Sequence, residues 1–264
     1  MLCALAVTLS LVPQLSAAVP ADTLRLEVGS PEVDARRFAP HAARVRVYVG
    51  GDTLVAEWTN ELGVGDSAGR AVHRWVTTGT QYPPGGAPVT WELRQTFDAT
   101  TLAPLGYARS GSSGASASIA IDGRRVRGTR RLASGAEEPV ALDLDRPGFV
   151  AAASDLVPLA VGLREGAVMT APVWSPPMAT TERRIFTVLG RTEVDVEGAR
   201  VRAWKVEERR DPERTLVATW YLVDEIPYMV YGEVPLPDGR VRRMTEVAIP
   251  ASAPGATAAP ARPR

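Results

Sequence analysis

At 264 residues the chain is long enough to bury a substantial core without disulfide or metal staples, and its 45% apolar content is that of an ordinary globular protein. A formal net charge of zero excludes a global field that would draw in nucleic acid or an anionic membrane. Cys3 is the single cysteine, so a disulfide framework is excluded as well.

The chain opens with "MLCALAVTLSLVPQLSAAVPAD". Its apolar run, Leu2 to Val12, is shorter than the ~20 residues of a membrane-spanning helix. Ser16-Ala17-Ala18 provide the small residues of a signal-cleavage site, although no Lys or Arg precedes Arg25. We expect residues 1–18 to be a secretory signal and the protein to be periplasmic or secreted in a bacterium. Residues 19–43 are polar, contain Pro31 and Pro40, and are expected to form an irregular lead-in.

From Arg44 the hydrophobic period is two. "RVRVYV" alternates Val45, Val47 and Val49 against Arg44, Arg46 and Tyr48, and Gly50-Gly51-Asp52 turns it into "TLVAEWTN". Further strands are expected at 71–78, 89–97, 102–110, 116–121, 124–131 and 137–144, with "DATT" and Asp122-Gly123 as turns. "GVGDSAG" (63–69) reads as a flexible hairpin loop. The segment 148–166 has no alternation, and Ser154 is placed to cap one short helix near 150–163, or the segment is coil, with Pro158 in the first turn or just beyond.

Alternation resumes at 167–174, 183–196, 199–209, 216–223, 228–234 and 240–249, with turns at Pro176-Pro177, Glu197-Gly198, Asp211-Pro212, Pro227 and Asp238-Gly239. Short links between so many strands require antiparallel pairs. The expected fold is mainly β: one domain at 44–249, a curved antiparallel sheet or incomplete β-barrel with one short helix. Residues 250–264, rich in Ala and Pro, are expected to be a disordered tail.

Chemistry is sparse. His41 and His73 are the only histidines and neither has a ligand-spaced partner, so no metal is expected. No G-x-S-x-G elbow is present, and the G-x-G of 63–65 opens no helix, so no cofactor is expected. Glu207-Glu208, Glu137-Glu138 and Asp224-Glu225 read as solvated pairs. A catalytic pair of acids would have to be assembled across space. Arg125, Arg127 and Arg131 share one strand face, which suits either an edge that resists aggregation or a patch for an anionic partner.

The aromatic residues cluster in "LVATWYLVDEIPYMVYGEV" (216–234). Either they fill a core or they line an apolar cavity. For a cavity the candidates are Trp204, Val206, Trp220, Leu222, Tyr228 and Tyr231. Trp220 and Leu222 share one strand face, as do Trp204 and Val206.

"LRQTFDATTLAPLGYARS", "SDLVPLAVGLREG" and "VDVEGARVRAWKVEER" followed by "LVATWYLVDEIPYMVYGE" resemble the motifs of an uncharacterised family of bacterial periplasmic proteins, over roughly 45–248. That family looks related in fold to the LolA/LolB-like lipoprotein carriers. The resemblance implies a curved, incomplete barrel with helical cover over an apolar cavity, and it carries no catalytic residues. The expected function is therefore a non-catalytic cell-envelope protein that binds a lipid, a lipoprotein acyl chain or another apolar ligand on the concave face of the sheet. The alternatives are an envelope structural module that meets a protein partner and has a filled core, and a hydrolase. No nucleic acid and no transmembrane segment are expected.

Overall fold

The computed structural model describes residues 22–224 and 228–250. The expected signal, the tail beyond residue 250 and the Pro227 turn lie outside the described residues. Sixteen strands and one short helix follow in chain order: β1 (Leu24–Arg25), β2 (His41–Val49), β3 (Thr53–Ser67), β4 (Arg70–Gln81), β5 (Val89–Asp98), β6 (Pro104–Gly111), β7 (Ser116–Asp122), β8 (Arg125–Arg131), β9 (Glu137–Asp143), β10 (Phe149–Val150), α1 (Leu156–Val161), β11 (Val168–Trp174), β12 (Thr181–Val196), β13 (Ala199–Arg210), β14 (Leu216–Val223), β15 (Tyr228–Pro235) and β16 (Val241–Ala248).

All belong to one sheet, ordered β1-β11-β12-β13-β14-β15-β16-β2-β3-β4-β5-β6-β7-β8-β9, with β10 beside β11. The chain makes two antiparallel meanders, β2–β9 and β11–β16. They join where the last strand pairs with the first long one, Met244 opposite Val47. Among the described strands only β1 and β10 run parallel to their neighbour, β11. The sheet is large and open, not closed into a barrel, and helix is scarce. Register shifts between β2 and β3, β5 and β6, and β12 and β13 add twist.

The helix explains why the sheet curls. Leu156, Val157, Leu159 and Ala160 of α1 are buried in one cluster with Val45, Phe97 and Val126 from the first meander and Phe186, Val206 and Leu222 from the second. Strands far apart in the sheet can share a six-residue helix only if the sheet wraps it. A second, small cluster of Val196, Ala203, Val223 and Val230, with Tyr221 and Tyr231 packed on it, lies apart from that core. Through it the C-terminal strands bury apolar residues on both faces.

Local expectations need correction in three places, and His73 adds a buried contact. Residues 63–67 are strand, because the β3 ladder to β4 continues to Ser67 opposite Arg70, and the turn is confined to Ala68-Gly69, both at positive φ. The segment 19–43, where described, holds Leu26, Val33, Ala35 and Phe38 in the main core, and β2 already begins at His41. His73 is buried, its Nε2 2.8 Å from the Ala35 carbonyl oxygen. Asp155, not Ser154, stands at the helix N-cap, because the Ser154 hydroxyl donates to Glu208 Oε2 at 3.1 Å.

Candidate functional site

An apolar groove on the concave face begins with a cross-strand row. Trp58 lies opposite Gly79, Gly79 opposite Trp91, and Trp91 opposite Gly111. Directly opposed residues point to the same side of a sheet, so both indoles project from one face with a glycine between them. A Cβ at Gly79 would lie 2.6 Å from Trp58 Cβ and 2.9 Å from Trp91 Cζ2. The missing side chain thus lets two bulky rings approach to 5.8 Å between centroids, at a 58° tilt.

Val47, Val55, Leu93, Tyr107 and Met244 extend this surface into a groove of about 430 Å³. A second groove of about 350 Å³ continues from it, sharing Gln81, Trp91, Tyr107 and Arg109 and adding Ile119, Val140, Pro176 and Pro177. Val140 is on the edge strand β9, whereas the two prolines follow β11, near the other edge of the sheet. The groove therefore lies at the seam where the sheet fails to close. Both volumes fall in the ordinary range for small-ligand pockets, ~300–1,000 Å³. Burial raises the Tyr107 hydroxyl pKa, and the adjacent Arg109 guanidinium acts in the opposite sense.

Close to α1 is a cluster of buried and half-buried ionisable groups. Glu208, 1% exposed, accepts from Ser154 Oγ at 3.1 Å, Trp220 Nε1 at 2.8 Å and Arg184 at 3.1 Å. Burial raises its pKa, while Arg184, Trp220 and Ser154 oppose the shift. Burial, followed by the Asp155 charge, holds Glu246 well above the usual carboxylate range. Asp155 is pushed up to about 7, by burial first and then by the charge of Glu208. Glu246 Oε1 is 4.0 Å from His41 Nε2, and the His41 ring stacks on Tyr228 at 4.1 Å. Burial lowers the His41 pKa and raises that of Tyr228. Glu246 Oε1, His41 Nε2 and the Tyr228 hydroxyl have no hydrogen-bond partner among the described residues.

These acids resemble a general acid–base pair in their shifted pKa values, yet none of them lines either groove. Glu208 is also the residue that the sequence placed in a solvated pair. The alternation of β13 turns it inward, opposite Ala218 and Phe186, while Glu207 points the other way. Among the described residues, no group of three or more His, Cys, Asp or Glu is placed to hold a metal ion.

Trp204 lies opposite Leu222 and Val206 opposite Trp220, so the register puts all four on one face. Val206, Leu222 and Tyr228 are buried in the main core, with Trp204 and Trp220 packed against it. Tyr231 packs on the separate small cluster, edge-on to Tyr221. None of the six lines either groove. Arg125, Arg127 and Arg131 are exposed on β8. Arg127 is paired with Asp143 at 2.8 Å and Arg131 with Glu137 at 3.1 Å, which neutralises part of that patch.

The "DATT" segment, Asp98 to Thr101, serves a turn as expected. Asp98 accepts from the backbone N–H groups of Thr100 and Thr101, the Thr101 hydroxyl and Arg70 Nε. Leu102 inserts into the core at positive φ.

The groove residues Trp58, Trp91, Tyr107, Arg109 and Arg242 escaped sequence reasoning. The available signal was the alternation of tryptophan with glycine across hairpins, which becomes visible once turn positions fix the register.

The model of a family described as "Protein of unknown function (DUF3108)" matches residues 44–245. No curated protein matches the sequence. Among solved structures, the chain is similar to a β-barrel-like protein of the DUF1849 domain of unknown function from Brucella abortus. The TM-score is 0.48 at 10% identity, covering 80% of this chain and 97% of that one. It is also similar to a Parabacteroides distasonis protein described as a "putative lipoprotein", with TM-score 0.30 at 8% identity, covering 80% and 96%. Among the described residues no helix is long and apolar enough to cross a membrane.

Proposed function

We propose that this chain, which belongs to the DUF3108 family of unknown function, is a non-catalytic carrier or receptor for a small apolar ligand held on the concave face of its sheet. The observation that carries the reading is the continuous groove along Trp58, Trp91 and Tyr107 at the open seam. An unfilled aromatic surface of this kind inside a curved sheet is costly to leave wet, and a ligand would relieve that cost. The reading includes a LolA/LolB-like role for the fold, with the sheet as cradle and α1 as cover at one end. It also includes an exported, cell-envelope location, which rests on the apolar N-terminal segment and its small-residue cleavage pattern.

The rival hydrolase reading draws on the raised carboxylates Asp155 and Glu246. Their seclusion from the grooves favours a structural role for them.

The test is tryptophan fluorescence during titration with palmitate. Binding should be saturable, and it should be lost in Trp91→Ala while the far-UV β spectrum persists. Saturable binding that survives both Trp91→Ala and Tyr107→Ala would contradict the assignment.

A further inference from the structure

The groove is apolar along most of its length, but Arg109, Arg130, Arg131 and Arg242 line it. Arg109 is on β6 and borders both of its parts, and Arg242 is on β16 and borders the larger part. Other arginines nearby are neutralised: Arg240, just before β16, is paired with Asp238, Arg243 on β16 with Asp52, and the groove-lining Arg130 and Arg131 with Glu138 and Glu137. Arg109 and Arg242 make no ion pair among the described residues. Glu92, the acid closest in the ladder to Arg109, is engaged by Arg94 at 2.7 Å.

Resting on the groove as a ligand site, we propose that its ligand is an amphiphile with an anionic head, carboxylate or phosphate, engaged by Arg109 and Arg242. The apolar chain runs past Trp91 and Tyr107 towards Ile119, Val140 and the two prolines. Guanidinium groups present paired donors that match both carboxylate and phosphate oxygens. They are also less strongly hydrated than ammonium groups, which suits a position beside aromatic rings. The charge of the head compensates the two cations, and burial of the chain compensates the aromatic surface. Neither half of the ligand alone matches the whole groove.

The experiment measures binding of four probes to the full chain by calorimetry: palmitate, hexadecyl phosphate, hexadecanol and inorganic phosphate. Both anionic amphiphiles should bind about tenfold or more tightly than the alcohol, in keeping with charge-assisted pairing. Inorganic phosphate should not bind at comparable concentration. In the double variant Arg109→Gln, Arg242→Gln the preference should vanish while hexadecanol binds as before. Equal affinity of the alcohol and the acids for the wild type would overturn the head-group assignment and leave the apolar groove standing. Tight binding of inorganic phosphate would replace it with a simple anion site. Failure of every probe would overturn both this inference and the groove reading. Thermal unfolding of the double variant, unchanged from wild type, separates lost recognition from lost folding.

Discussion

Trp58 and Trp91 face each other across Gly79, with ring centroids 5.8 Å apart, and no larger residue fits between them. The groove depends on that gap. Gly79→Ala forces Cβ against Trp58, Trp91 and the Glu57 carbonyl oxygen at 2.9 Å. We expect it to cost ~1–3 kcal/mol, as overpacking does, and to weaken palmitate binding. Denaturant unfolding together with a binding titration checks both, and a variant with unchanged stability and affinity would show that the rings do not need the gap.

Trp220 separates core from site. Its indole N–H serves the buried Glu208 carboxylate at 2.8 Å. Trp220→Phe removes that donor and keeps most of the ring, so it should destabilise by ~1–3 kcal/mol through loss of one of the hydrogen bonds that satisfy a buried carboxylate. Ligand affinity in the groove should be unchanged. A large loss of affinity with no loss of stability would return Trp220 to the binding surface.

Asp98 sets part of the acid limit. Burial alone would raise its pKa, but Arg70, Thr101 and Thr100 outweigh burial and hold it at about 2. A pKa depressed in the folded state gives stability that is present above about pH 4 and is lost as pH falls towards 2. The amount is ~2 kcal/mol for a shift of this size. Asp98→Asn should therefore be less stable than wild type at neutral pH and converge with it near pH 2. Parallel stability curves would mean that the carboxylate charge contributes nothing.

Asp155 has the opposite sign. Its pKa is raised from 3.8 to about 7 in the folded protein, so the folded state retains a proton that the unfolded chain releases. Its contribution is fully present below about pH 4 and is lost as pH rises through 7. Asp155→Asn removes that loss and should be the more stable protein at about pH 8, by up to roughly 4 kcal/mol, with the gap closing near pH 4. Unfolding midpoints across this range give the answer, and a gap independent of pH would contradict it.

The strands and their antiparallel pairing were legible because period-two alternation and glycine turns are local signals. Val45, Val47 and the Glu197-Gly198 turn sit as the pattern implies. The long reach of β3 was not legible, since Gly63 and Gly65 read as turn residues and only pairing with β4 keeps them extended. Glu208 was hidden for a related reason. An adjacent Glu207 suggests solvent, whereas strand geometry sends one of the two inward to Arg184. The aromatic cluster at 216–234 drew attention by density along the chain. The groove instead assembles Trp58 from β3, Trp91 from β5 and Tyr107 from β6, which become neighbours only once the hairpin registers are fixed.

The central claim is that the ligand lies along Trp91 and Tyr107 at the seam of the sheet. A crystal structure with a bromine-labelled fatty acid locates the ligand by its anomalous signal. The account predicts bromine within the groove, between Tyr107 and the Pro176-Pro177 hairpin, with the carboxylate towards Arg109 and Arg242. Bromine located beside Trp204 and Trp220, or no ordered bromine at saturating ligand, would contradict it.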